Sequence, residues 1–464
     1  MLGRIFLGLT LVLGAAPLVA EDLSLAAAMA RARSGAREVA AARARAEASD
    51  RRLAEARGHR LPRLRLEEVW MRTDSPADVF GLQLQQESFS FAEFVAADPN
   101  RPDPLENALT RLELRLPVYT GGELGGRIEQ ARLAAKAAAA TAARTEDTAA
   151  LAAAEAYIRL AQARERVELL ERSLATVLAH VELARAYVEQ GMLVRSELLR
   201  AEVEHARVAD LLAEARGQAR LAEAGLSLRL AAADGSRWQT EPLPDPAPLA
   251  QPLDDWLGGA TARADLEAAR ELLAAGELEV GIRRSGRKPR IALVARRDYN
   301  DDSLFGTGGA STAFMAVAGV DLFSGGSHRA AAAAAAAELE AARREVEQFE
   351  HGIRLEVRQA WEQAVTARDR HATAVAAWAA AAEGERILEE RFAKGVARTI
   401  DLLDAVTARR EAETRELVAR AEAHLATFRL AVAGGRSPES VLPAGAPAAP
   451  AGAAAAAVEG GDRG

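Results

Sequence analysis

Val118-Tyr119-Thr120-Gly121-Gly122 returns as Leu322-Phe323-Ser324-Gly325-Gly326, 204 residues further along the chain. The same displacement carries Ala156-Tyr157 onto Ala360-Trp361, Ala163-Arg164-Glu165-Arg166 onto Ala367-Arg368-Asp369-Arg370, Gly191 onto Gly395, and Leu198-Leu199 onto Leu402-Leu403. Gap-free matches sustained at one displacement mark an internal tandem duplication. The copies are assigned to residues 21–240 and 253–435, joined by the proline-rich linker Glu241 to Pro252. The Ala/Pro/Gly-rich tail, residues 436–464, cannot bury a core and is expected to be disordered.

Outward from the Gly-Gly turns, both copies follow one plan: a helix, a strand, a loop, a second strand, the turn, and a long helical hairpin. From Arg111 to Val118, Leu112, Leu114, Leu116 and Val118 alternate with Arg111, Glu113 and Arg115, the period of a sheet with one apolar and one wet face. Leu64 and Leu66 begin a similar strand that reaches Trp70, and Ile291 to Ala295 and Phe314 to Leu322 supply the second pair, so four strands are expected. Glu123 to Gln190 contains no proline and runs for 68 residues, enough for one helix of roughly 100 Å at about 1.5 Å per residue. Ser327 to Lys394 repeats it. Leu160, Val167, Leu174, Val181 and Val188 recur every seven positions with Leu170 and Val177 as companions, a coiled-coil seam. Val194, Ala201, Val208 and Ala215, with Leu198, Leu212 and Leu226, offer the return helix a matching seam.

Composition agrees with long, thinly packed helices: 49% of residues are hydrophobic, but only 4% are aromatic. The net charge of −8 is spread as interspersed acids and bases, which argues against a nucleic-acid partner. Cysteine is absent, which excludes disulfides, thiolate metal sites and an acylated N-terminal cysteine. Arg4, the apolar run Ile5 to Leu13 and the small residues leading to Ala20 read as a secretory signal peptide over residues 1–20, cut after Ala16 or Ala20. An exported chain with a four-stranded sheet has two open edges, and lipid offers nothing to satisfy them. Closure by several copies is the expectation, with three giving a barrel wide enough for a lumen.

The turns Pro117 to Gly122 and Asp321 to Gly326, and the tips Gly191-Met192-Leu193-Val194-Arg195-Ser196-Glu197-Leu198-Leu199 and Gly395-Val396-Ala397-Arg398-Thr399-Ile400-Asp401-Leu402-Leu403-Asp404-Ala405, together resemble the TolC-like outer membrane efflux protein family. The resemblance extends from Leu23-Ser24-Leu25 through Leu61-Pro62 to Gly435. It implies a mainly α protomer with β, whose homotrimer closes a twelve-stranded transmembrane barrel and an α-helical tunnel. It also implies a periplasmic adaptor and a proton-driven or ATP-driven inner-membrane pump as partners, with the chain in the outer membrane and reaching far into the periplasm.

Gly191 and Gly395 can end a helix in the left-handed conformation, and Ser196 or Thr399 can cap the next one. By resemblance, Gly191, Arg195, Ser196, Glu197, Leu198, Gly395, Arg398 and Thr399 form the end on which an adaptor docks. Asp401 and Asp404, three apart and on one helical face, match the family's acidic constriction pair; threefold symmetry would gather six such carboxylates. Copy one has Glu197 and Arg200 there, so it does not repeat the pair, and Arg200 is a candidate partner for it. Family members often carry a tyrosine three residues before the second tip glycine and an arginine two after it, as ties that hold the tunnel shut. Here those places hold Phe392 and Ala397, with Arg398 one residue late.

No metal site is expected, since His59, His180, His205, His328, His351, His371 and His424 are scattered. Gly121-Gly122-Glu123-Leu124-Gly125-Gly126 lacks the Lys-Ser/Thr ending of a phosphate loop. No nucleophile, base and orienter stand together, so neither enzyme activity nor a cofactor is expected. The leading functional expectation is an efflux duct for small molecules or ions. The alternatives are a duct for type I protein secretion and, from another class, a periplasmic coiled-coil adaptor, against which the duplicated strand pairs speak.

Overall fold

The computed structural model describes residues 21–442 apart from Ala97 and Asp234. The expected signal peptide and most of the tail lie outside the described residues. In chain order the elements are β1 (Glu21–Leu23), α1 (Leu25–Gly35), α2 (Arg37–Gly58), β2 (Arg63–Thr73), α3 (Pro76–Gln85), α4 (Phe91–Ala96), β3 (Leu105–Tyr119), α5 (Glu123–Glu189), α6 (Arg195–Arg229), β4 (Trp238–Thr240), α7 (Leu253–Gly259), α8 (Ala264–Ser285), β5 (Arg290–Asp301), β6 (Ala310–Gly319), α9 (Ser327–Ala393) and α10 (Thr399–Ala433). Both long helices have 67 residues and both return helices 35, and each of their four boundaries is displaced by 204: 123 to 327, 189 to 393, 195 to 399, 229 to 433. The protein is mainly helical and written twice.

The chain divides into two compact units, through which α2, α5, α8 and α9 pass. The unit of residues 44–140 and 265–349 holds the four-stranded antiparallel sheet, in the order β2-β3-β5-β6. The copies meet at its centre, where β3 pairs with β5; Pro117 has no N–H to give the ladder, and the register slips between Pro117 and Tyr119. Alternation sorts most of the side chains, although Arg297 stands opposite Leu112 on the apolar face and Val294 opposite Arg115 on the polar one. Leu64, Leu66, Leu112, Leu114, Leu293 and Phe314 share one face and are 39–83% exposed. The opposite face carries Arg111, whose guanidinium spans both oxygens of Asp298 at 2.9 and 3.1 Å, and Arg296 at 3.1 Å from the same carboxylate. β2 and β6 are the edges and have a partner on one side only. Where α5 starts and α8 ends, next to the sheet, a glycine permits close approach: a Cβ on Gly126 would stand 2.6 Å from Ile282 Cγ1.

The other unit, residues 21–43, 141–264 and 350–442 among those described, is the helical one. Its seam is the expected one for most of its length. Leu160, Leu170, Val177, Val181, Ala201, Val208, Leu212, Ala215 and Leu226 are buried, each large apolar side chain contributing about 1.5–3 kcal/mol. Arg164–Glu223 at 3.0 Å and Arg216–Glu171 at 2.8 Å lace α5 to α6 along the rim. Val194 departs from the seam, standing 65% exposed because it precedes the first turn of α6.

Four features correct or extend the sequence expectation. β6 ends at Gly319, so Val320 to Leu322 lie beyond the strand. The loop after β2 contains α3 and α4, tied by the aromatic trio Phe80, Phe89 and Phe94. β1 and β4 form a small parallel pair around the buried Trp238. The tail does not begin loosely: Pro438–Val441 makes a 3₁₀ turn, and Arg33 reaches Ser437 at 3.1 Å and Glu439 at 2.9 Å.

The linker is strapped to the helices. The Glu241 N–H donates to the Tyr157 hydroxyl at 3.0 Å, and the Leu243 N–H donates to Glu165 at 3.0 Å. Arg420 pairs with Glu165 and donates to the Leu243 carbonyl at 3.0 Å, while Arg368 donates to that of Ala247 at 2.9 Å.

Candidate functional site

Both helix reversals end in the same way. The Gly191 N–H donates to the Val188 carbonyl at 3.0 Å and the Met192 N–H to that of Tyr187 at 2.8 Å; Gly395 to Phe392 at 2.9 Å and Val396 to Arg391 at 2.9 Å repeat the pattern. These are Schellman ends, and they require φ of about +70° at the glycine, observed as 70° at Gly191 and 73° at Gly395. The turn glycines Gly121, Gly122, Gly325 and Gly326 likewise have positive φ.

The helices that follow are not capped as the sequence suggests. Ser196 lies inside α6 and Thr399 opens α10, so neither occupies the capping position; Val194 and Arg398 do. Thr399 is buried and its hydroxyl has no hydrogen-bond partner. The second tip is instead fastened by Asp401. Its carboxylate takes the Arg398 backbone N–H at 3.3 Å and the Arg398 guanidinium at 2.8 and 3.1 Å. This hydrogen bonding holds the Asp401 carboxyl below the usual carboxylate range and raises Arg398. Within the chain the partner of Asp401 is thus Arg398, and the i, i+3 spacing is the signal in the sequence that could have found it.

Asp404 lies one turn further along α10 and is exposed. Arg195 and Ser196 are exposed, and Glu197 and Leu198 are half-buried. Met192, Leu199 and Val396, which are not among the docking residues expected from the sequence, and Val194, expected in the seam, leave 50–65% of their surface bare, so each reversal presents apolar side chains. Phe392, where the family's tie would have a tyrosine, is buried among Leu170, Val177, Val208 and Leu402, with its ring 6.2 Å from that of Tyr187. It packs the hairpins and carries no hydroxyl for a tie. Beneath the tips, Arg410 and Glu204 form a pair at 2.7 Å whose side chains are 4% and 13% exposed, joining α10 to α6.

Among the described residues no cluster of His, Asp and Glu is arranged to hold a metal ion, and no helix is long and apolar enough to cross a membrane. The apolar surface suited to lipid is the bare sheet face. The sequence matches the description "Outer membrane efflux protein" twice, over residues 28–232 and 260–436, one match to each copy. The chain belongs to the outer membrane efflux protein family. As a member it is an outer membrane channel protein with a periplasmic helical extension, and not an enzyme. Solved structures share the fold across 89% of this chain. The Campylobacter jejuni CmeC outer membrane channel is 15% identical and aligns over 86% of its own chain with a TM-score of 0.75. For the Vibrio cholerae outer membrane protein VceC the figures are 19%, 96% and 0.73. For the open state of the Neisseria gonorrhoeae MtrE outer membrane channel they are 20%, 90% and 0.71. No curated protein matches the chain at a significant level.

Proposed function

We propose that this efflux protein is the exit duct of a tripartite exporter. Three copies close a twelve-stranded barrel, their helices line one tunnel, and the tips around Gly191 and Gly395 dock on a periplasmic adaptor coupled to an inner-membrane pump. The observation that carries this reading is the open sheet: one face is bare and apolar, and both edges lack partners. Four strands are too few for a bacterial barrel, which begins at about eight, whereas three copies leave room for a lumen. The exposed apolar residues at both reversals suit a protein partner. The cargo is small molecules or ions handed over by the pump. Secretion of a protein substrate is the other duct reading, and an adjacent ATP-driven exporter with a large secreted substrate would favour it.

In this assembly Asp401 and Asp404 line the narrowest part of the tunnel, where carboxylates in a confined throat produce a strong negative potential. Purified protein in planar bilayers should conduct with cation selectivity and be blocked by a trivalent cation added from the side of the tips. Asp401→Asn combined with Asp404→Asn should remove that block. Wild-type block in the double variant would move the constriction elsewhere and return both residues to an ordinary solvated helix face.

A further inference from the structure

The two tips are not charged alike, and the displacement of 204 shows where they differ. Arg398 falls on Val194, Asp401 on Glu197 and Asp404 on Arg200. Each tip therefore holds one arginine among these three positions, but on opposite sides of the shared acid. In copy two the arginine comes first, at the last extended residue before α10, with φ −83° and ψ 154°. From there its guanidinium lies along the first turn and meets Asp401 with two hydrogen bonds, at 2.8 and 3.1 Å. Glu197 has valine instead of arginine three residues before it, and its Oε2 is shielded without a hydrogen-bond partner.

We propose that Arg398 sets the ion selectivity of the throat by cancelling the charge of Asp401 within its own protomer, so that Asp404 is the effective carboxylate of the pair. This inference rests on the placement of Asp401 and Asp404 at the constriction. The pairing is local, fixed by a three-residue spacing and by the shared hydrogen bond from the Arg398 backbone, so it forms in each protomer before any threefold ring is assembled. Asp401 stays ionised but spends its field on a cation about one bond length of hydrogen bonding away. Glu197, Asp404 and Arg391 also face this ion pair: the first two act on the guanidinium and the last on the Asp401 carboxylate. Arg398 itself is 79% exposed along its side chain, so it can be replaced without opening a cavity.

The test is a charge cycle on assembled trimers in planar bilayers, read as the trivalent-cation block constant and the reversal potential in a salt gradient. Arg398→Gln should tighten the block roughly tenfold by freeing a carboxylate in every protomer. Asp401→Asn should weaken it by leaving the arginine uncompensated. Arg398→Gln with Asp401→Asn should return close to wild type, and Arg398→Lys should stay close to wild type. A merely structural role for the pair predicts instead that the combined variant is no nearer to wild type than Asp401→Asn alone, and that result would overturn the proposal. If Asp404→Asn weakens the block while Arg398→Gln leaves it unchanged, the throat is placed correctly and only the role of Arg398 fails. If Asp404→Asn has no effect either, the constriction itself is misplaced.

Discussion

His424 sits where the linker crosses α10, with its Nε2 2.7 Å from the Pro244 carbonyl oxygen. That nitrogen must carry a proton to donate, so the neutral ring already makes the contact. Burial pushes the imidazole pKa down, and Arg420, Arg368 and His371 nearby add to the depression against the contribution of the Pro244 hydrogen bond. A histidine whose folded pKa lies below its unfolded value of about 6.5 binds fewer protons folded than unfolded. Its contribution is therefore complete above that value and is lost as pH falls from there towards the folded pKa. The thermal midpoint of the wild type should drop on acidification from about pH 7 to pH 5, and His424→Gln should flatten that drop. Parallel pH profiles for the two proteins would mean that the linker contact is insensitive to the ring's charge. This role is not legible in the sequence, because a lone helical histidine acquires meaning only from the linker that packs on it from 180 residues away.

At the scale of elements, the strands were legible because each is asked to satisfy two different surroundings. Leu112 and Leu114 alternate with Arg111 and Glu113, and β2 keeps that division with Leu64 and Leu66 against Arg65 and Glu67, whereas β5 breaks it at Val294 and Arg297. Leu114→Arg should impede membrane assembly, at a cost of about 2–4 kcal/mol near mid-bilayer, while Arg115→Ala should be tolerated. Heat-modifiable protein in outer membrane fractions reports the difference, and equal tolerance of the two changes would reverse the assigned faces. The long helices were legible from their heptads and from the absence of proline. Their first turns were not: Ser196 and Thr399 look like caps by residue type, but each helix restarts sooner than that, and Val194, two residues before Ser196, and Arg398, one before Thr399, take the position. β1 and β4 are three residues each and carry no periodicity to read; they exist because Trp238 is buried against Leu23, Tyr157 and Leu226. The Glu204–Arg410 pair also escaped notice, since 206 residues separate its partners. Glu204→Ala leaves an almost fully buried guanidinium unpaired and should destabilise the helical unit by about 3–5 kcal/mol, seen as a lowered denaturation midpoint. An unchanged midpoint would show that water reaches Arg410.

The whole molecule is a duplicated protomer with an unfinished sheet. The duplication was fully legible, since every boundary of the four long helices keeps the displacement that the Gly-Gly turns announce. The open edges follow from it, because two strand pairs joined at β3 and β5 still leave β2 and β6 uncovered. Lipid cannot satisfy those edges, and in the proposed assembly other copies do. The absence of cysteine makes the claim directly measurable, as any introduced pair reports alone. Glu67→Cys in β2 can be combined in turn with Ser311→Cys, Ala313→Cys and Met315→Cys in β6, which places thiols on the polar face of both edges at successive registers. Oxidation in outer membranes should give, for at least one pairing, a ladder of one, two and three linked chains that stops at three. Chains that remain single at every register, or a ladder that continues past three, would contradict a barrel closed by three copies.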